Sequence, residues 1–320
     1  MKYQSYDEQY NKLLHNVIEN GKWELKEHAR PKYEDGEVAI TKYVTNQSIT
    51  IDNSKDSCLL TSKRCAVKDP IKELRWIWQL MSNDVNVLNE MGCTVWDEWK
   101  KEDGTIGKAY AWQLKNKVQP VQMDKLFLDM YYDNQFSVKP DDEMLKLKDD
   151  IYTEIENGEI TYVELNQVDY LLYQLRKNPY SRRIITTLWC VEDLHEMALT
   201  PCVYETHWQM FGDELELTVK IRSNDSCVGN PYNVTQYSIL HKIIAQVTGH
   251  KVGKLHFVID NFHIYDRHIE TAKEQLQGEL HEQPVVKINP DINSFYDFTE
   301  DDVTVENYKH NGKFKYEIAI

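Results

Sequence analysis

Between residues 166 and 260, four strand-like runs alternate with two helical ones and no linker separates them. That alternation limits the architecture more than any other feature. "RRIITTLWC", "CVYETHWQM", "ELELTVKIRS" and "KLHFVID" are rich in the β-branched and aromatic residues that suit a pleated, half-buried surface. An amphipathic helix closed by Asn-Pro ("NQVDYLLYQLRKNPYSRR") precedes the first, and "NVTQYSILHKIIAQVTG" reads as a long helix before the last. Strands and helices that share one stretch must bury their apolar faces on each other, which implies an α+β domain.

The flanks fit that class. Residues 5–20 carry apolar positions at helical spacing and stop at Gly21. "VAITKYVTNQSITID" alternates around turn formers and predicts a hairpin. "DPIKELRWIWQLM" predicts a helix with Pro70 near its start, followed by an aromatic-rich loop over 93–114. Residues 118–165 are acidic and lysine-rich without a motif, and read as a solvated helical insertion in a single domain over 1–320.

Charge and cysteine usage narrow the function classes. A net charge of −15 argues against nucleic acid as a partner. No run approaches the ~20 apolar residues of a membrane helix, and "MKYQSYDEQY" lacks a signal core, so the expected location is cytoplasmic with no membrane partner. Six cysteines without Cys-x-x-Cys spacing favour neither a zinc site nor a disulfide framework. Arginines nonetheless recur in tight groups, as in "SRRII" and "KIRSND", which would suit a small anion, although scattered surface arginine accounts equally for either group alone.

Two places could carry chemistry. Cys202 follows a proline at the head of a strand, and a catalytic thiol needs positive charge to lower its pKa from about 8.5. If "CVYETHWQMF" and "LELTVKIRS" pair around "GDE", Arg222 could face it; judged locally, a buried inert cysteine is the simpler explanation of the residue. In "RSNDSCVGNPYNVTQYS", the polar residues Arg222, Ser223, Asp225 and Asn233 enter an apolar helix, either as ligand contacts or as a helix entry capped by Asn233.

Taken together, "ALTPCVYETHWQM", "RSNDSCVGNPYNVTQYS", "WDEWKKEDGTIGKAY", "YSRRIITTLW", "LTSKRC" and the His-x-Tyr at 263–265 resemble, in order, the motifs of the thymidylate synthase family. The resemblance runs from near residue 8 to the carboxyl terminus, outside the insertion. It implies a mixed sheet with flanking helices, packed sheet to sheet in a homodimer. It also implies reductive methylation of dUMP to dTMP, with 5,10-methylenetetrahydrofolate giving both carbon and hydride and no metal or flavin. By that resemblance Cys202 adds to C6 of uracil, Glu73 organises proton transfers, Tyr110 serves proton removal from C5, and Asn233 reads the base. Arg30, Arg222, Ser223 and, from the other subunit, Arg182 and Arg183 would hold the phosphate, with His263 and Tyr265 on the deoxyribose hydroxyl. Trp96, Trp99, Asp225, Gly229 and Tyr232 would line the folate pocket, closed by the tail ending in Ala319 and Ile320.

Val203, Asp260-Asn261, Ala111, Leu114 and Cys190 depart from common family residues, none at a principal catalytic position. Two other functions share these motifs: a deoxyuridylate hydroxymethylase of the same fold, in which water replaces hydride, and a nucleotide-binding homologue without catalysis. Asn233 argues against a deoxycytidylate version, where aspartate is expected.

Overall fold

The computed structural model describes residues 4–320, so the first three residues of the amino-terminal stretch lie outside it. In chain order the strands are β1 (Lys22–Trp23), β2 (Thr41–Asp52), β3 (Gln119–Gln122), β4 (Tyr162–Leu165), β5 (Ile185–Thr187) and β6 (Val203–Phe211). They continue as β7 (Glu214–Ile221), β8 (Asn224–Asp225), β9 (Lys251–Tyr265), β10 (Val285–Ile288) and β11 (Val303–Glu306). The α-helices are α1 (Tyr6–Asn20), α2 (Lys68–Leu74), α3 (Val85–Glu90), α4 (Ala111–Asn116) and α5 (Lys125–Tyr132). After them come α6 (Asp142–Lys146), α7 (Lys148–Glu156), α8 (Gln167–Lys177), α9 (Gly229–Thr248) and α10 (Ile269–Leu276).

The main sheet runs β1-β2-β9-β7-β6-β5, with β8 added beside β9. β6 and β7 form the expected antiparallel hairpin, while β7 and β9 are parallel. A parallel pair needs a crossover, and α9 supplies it. Leu215, Leu217, Val219 and Ile221 of β7 point to the same face as Leu255, Phe257 and Ile259 of β9, and all seven are fully buried. α9 carries Val234, Ile239, Leu240, Ile243 and Ile244 into that core, and α1 brings Tyr6, Tyr10 and Leu14. The opposite face shows polar and half-exposed side chains instead: Glu205 paired with Lys220, Glu216 with His256, and Val258 at 41% exposure.

Four expectations change. Residues 41–52 form one strand and not a hairpin: β9, at 15 residues, is long enough to pair with all of it, from Thr41 opposite Tyr265 to Asp52 opposite Lys254. The turn signal at Asn46 survives only as a left-handed kink, φ 52°, that leaves the register unchanged. The helix after Asp69-Pro70 loosens at Arg75–Gln79 into a wider π turn. α9 begins at Gly229, four residues early, so Asn233 lies inside the helix and is not its cap. The 118–165 segment is solvated only in part: α6 and α7 bury nothing fully, but β3 pairs with β4, and α5 sends Phe127, Leu128 and Met130 into the core. The aromatic run "LFLDMYY" explains that, since Phe127 packs on Phe136 and Tyr173.

No described helix is long and apolar enough to cross a membrane. All six cysteines are free.

Candidate active site

Cys202 sits one residue before β6, beside the end of β7. The Arg222 backbone N–H donates to the Cys202 carbonyl at 2.9 Å. The Arg222 guanidinium is held by three further bonds: Nε to the Pro201 carbonyl at 2.9 Å, and Nη2 to the Thr200 carbonyl and Oγ1 at 2.8 and 2.9 Å. So oriented, Nη2 lies 4.0 Å from the Cys202 Sγ, and the Trp189 ring backs the guanidinium at 5.8 Å. On the other side, the Cys202 backbone N–H donates to the Tyr110 hydroxyl at 2.9 Å. Tyr110 holds this position with φ 43°, a conformation that costs a non-glycine residue about 1–3 kcal/mol and is typical of functional sites. Burial pushes the thiol pKa up; Arg222 opposes it most, followed by Tyr110.

A carboxyl faces the aromatic loop. Glu73, buried on α2, accepts a hydrogen bond from Trp96 Nε1 at 2.8 Å. Trp96 packs against Tyr110 at 5.3 Å and Trp99 at 5.5 Å, so Tyr110 links this wall to Cys202. Burial lifts the Glu73 carboxyl to about 7, with Trp96 and Tyr232 pulling it partly back. The Tyr232 hydroxyl is near enough for that influence, yet it is buried without a partner in hydrogen-bond geometry. A carboxyl poised near neutral pH can hold or release a proton there.

The polar run after Arg222 is pinned to β9. Asp225 lies opposite His263 in the parallel β8–β9 register, and the Ser226 N–H donates to the His263 carbonyl at 2.8 Å. His263 Nδ1 bonds Asn261 Oδ1 at 3.0 Å, and burial pushes its pKa down. A neutral ring with Nδ1–H committed to Asn261 leaves Nε2 as an acceptor. Tyr265 stands edge-on to it at 5.5 Å. Ser223 is half-buried, and Asn233 Oδ1 accepts from Asn224 Nδ2 at 3.1 Å. A Cβ on Gly229 would meet Asp225 at an ordinary 3.5 Å, so sterics do not demand glycine. Asp225, Cys227 and His268 place ligand-type atoms within 4.8 Å. Burial lifts the Cys227 thiol to about 12, and His268 Nε2 is committed to the Glu317 carbonyl, which makes this a packed polar floor.

Other candidates stay apart. Arg30, Arg182 and Arg183 are exposed, and their guanidinium groups make no hydrogen bond or ion pair among the described residues. The carboxyl-terminal tail is docked: Ile320 exchanges backbone hydrogen bonds with Lys32 at 2.7 and 2.9 Å, two residues from Arg30. Arg267 ties Glu317 of that tail to Asp35. Two adjoining hollows of about 710 and 770 Å³ lie between residues 63–69 and the tail; they touch the candidate set only at Tyr232 and do not reach Cys202.

Several contacts had no sequence signal. Thr200 and Pro201 act through backbone carbonyls, which any residue type would provide, and Thr200 adds its Oγ1. Asn224 and Asn230 stand six apart within the polar run, and only the fold brings them beside Asn233 and Tyr6.

The sequence profile of the thymidylate synthase family matches residues 8–320. Thymidylate synthase 1 of Bacillus subtilis (strain 168) is 44% identical over 316 residues, covering 98% of this chain and 99% of the relative. Thymidylate synthase of Bacillus phage phi3T is 43% identical over the same coverage. The solved structure of thermostable thymidylate synthase A from Bacillus subtilis matches with a TM-score of 0.81 and 43% identity, covering 99% of this chain and all of that one.

Proposed function

Because the chain belongs to the thymidylate synthase family, a family of methyltransferases that make dTMP from dUMP, we propose that Cys202 is the nucleophile of that reaction in this protein. The observation that carries the assignment is the Cys202–Arg222 pair, 4.0 Å apart and clamped by the Thr200–Pro201 carbonyls. The thiol is protonated at rest, because burial dominates its pKa. Arg222 stabilises the thiolate as it forms, and addition at C6 turns uracil C5 into an enolate-like carbon nucleophile.

Glu73 relays protons around the pyrimidine through water, and Tyr110 serves proton removal from C5. Arg222 Nη1, which has no partner among the described residues, and Ser223 hold the phosphate together with Arg30. Arg182 and Arg183 reach the phosphate of a second copy, and the half-polar sheet face packs against that copy in a homodimer. His263 and Tyr265 hold the deoxyribose hydroxyl, and Asn233 reads the base.

The residues present suit a methylenetetrahydrofolate co-substrate. Trp96 and Trp99 offer aromatic faces, Asp225 a half-buried carboxylate, Gly229 a position without a side chain beside Asp225, and Tyr232 a buried hydroxyl without a partner. When bound, the folate supplies one carbon and a hydride. Ala319 and Ile320, tethered through Lys32 to the Arg30 loop, close over it and exclude water. The whole chain, 1–320, acts as one catalytic domain, with 118–165 inserted in it.

Incubation with dUMP and methylenetetrahydrofolate is expected to yield dTMP and dihydrofolate in equal amounts, followed by dihydrofolate absorbance. Hydroxymethylated nucleotide with tetrahydrofolate would assign the hydroxymethylase reaction instead. Tight dUMP binding without product would assign a non-catalytic homologue.

A further inference from the structure

Behind Asn233 lies a relay of buried amides. The Tyr6 hydroxyl donates to Asn230 Oδ1 at 3.0 Å, Asn230 Nδ2 to Asn224 Oδ1 at 2.7 Å, and Asn224 Nδ2 to Asn233 Oδ1 at 3.1 Å. Tyr6 and Asn230 are fully buried and Asn224 is 2% exposed, so water cannot stand in for any of these partners. Asn233 Nδ2 has no partner among the described residues.

The direction of the relay matters because an asparagine amide has two faces of opposite sense. With Oδ1 held by Asn224, Asn233 can still accept from N3–H through its second lone pair, and its free Nδ2 can donate to O4. That is the complement of uracil. The reversed relay would turn the Asn233 Nδ2 toward Asn224 and present the complement of cytosine, which has an acceptor at N3 and a donor at C4. At the far end, Tyr6 favours the observed sense, since a phenol oxygen shares its lone pair with the ring and donates better than it accepts.

We propose that Asn224 is a positioning residue for base choice, and that the Tyr6–Asn230–Asn224 relay fixes the Asn233 amide in the sense that selects uracil over cytosine. The proposal rests on the reading of Asn233 as the base contact.

Asn224→Asp replaces the donor with a carboxylate that can only accept when ionised, so the Asn233 amide turns to donate to it. The ratio of dCMP to dUMP dissociation constants, measured by calorimetry, should fall by at least about tenfold. The ratio should recover as pH falls and the protonated carboxyl again donates to Asn233, whereas wild type shows no such recovery. Tyr6→Phe keeps the ring, removes the terminal donor, and should lower the ratio by about threefold with no pH dependence. Tyr6→Phe alone decides the matter if Asn224→Asp does not fold. Asn233→Asp is the reference: if it shifts the ratio while the relay variants leave it as in wild type, the relay proposal falls and the Asn233 reading stands. If Asn233→Asp also leaves it unchanged, the reading of Asn233 itself falls.

Discussion

The floor around Cys202 and the arginine rim above it are built in opposite ways. Cys202, Arg222, Asp225, His263 and Tyr265 sit on or at the ends of adjacent strands, and each of their positions is set by backbone pairing or a short hydrogen bond. Glu73 and Tyr110 are buried against them through Trp96. Arg30 is exposed on a loop, and Arg182 and Arg183 on a turn, with no partner for their charge among the described residues. A buried unpaired guanidinium would be costly, while an exposed one waits in water at little cost until an anion arrives. On our reading, then, the covalent chemistry needs one chain, and the phosphate grip needs loop closure and a second.

The largest effect should come from the floor. Cys202→Ala is expected to lower turnover by at least about 10³-fold while leaving dUMP affinity within a few-fold, because on our reading the thiol forms the bond and the rim holds the phosphate. Steady-state rates and calorimetry read the two separately; turnover above a few per cent of wild type would remove Cys202 from the mechanism.

The rim gives the next effect. Arg183→Ala should cost roughly 2–5 kcal/mol of dUMP binding and be slow at limiting dUMP. If the arginine serves the other subunit, refolding it with Cys202→Ala puts both defects in one site of each mixed dimer. The second site is then native, and an equal mixture should recover about a quarter of wild-type activity. Recovery no greater than the parents' sum, with mixed dimers shown to be present, would mean that each chain builds its phosphate site alone.

The smallest effect concerns the stability cost of the floor. The folded Glu73 carboxyl, raised from 4.5 to about 7, binds its proton more tightly than the unfolded one does. That contribution is complete below pH about 4.5, declines as pH rises, and is gone above about 7. Glu73→Gln should flatten this part of the pH–stability curve and gain at most about 3 kcal/mol over wild type above pH 7. Thermal unfolding across pH 4–8 checks it; parallel curves for the two proteins would show that the carboxyl is not strained by burial.

Local order was legible in the sequence wherever one face or one turn decides the outcome. The period of α1 and α8 follows from the spacing of their apolar residues, and the β6–β7 hairpin from side-chain alternation about a two-residue turn; the Cys202–Arg222 juxtaposition also depends on a register shift between Val203 and Glu205, which has no signal in the sequence. The family was readable because several motifs occur together in order, where any one alone admitted an inert explanation.

What tertiary structure alone decided concerns partners far away in the chain. A turn signal at Asn46 lost to β9, which pairs with β2 on both sides of it in one register from Thr41 to Asp52, since a long ladder outweighs one local preference. Asn233 was moved from cap to helix interior by Gly229-Asn230-Pro231, whose entry is anchored through Asn230 to Tyr6, 224 residues away in sequence. Glu73 reads as an ordinary surface carboxylate until Trp96 and Tyr232 remove it from water, and burial, which no residue specifies for itself, is what raises its pKa.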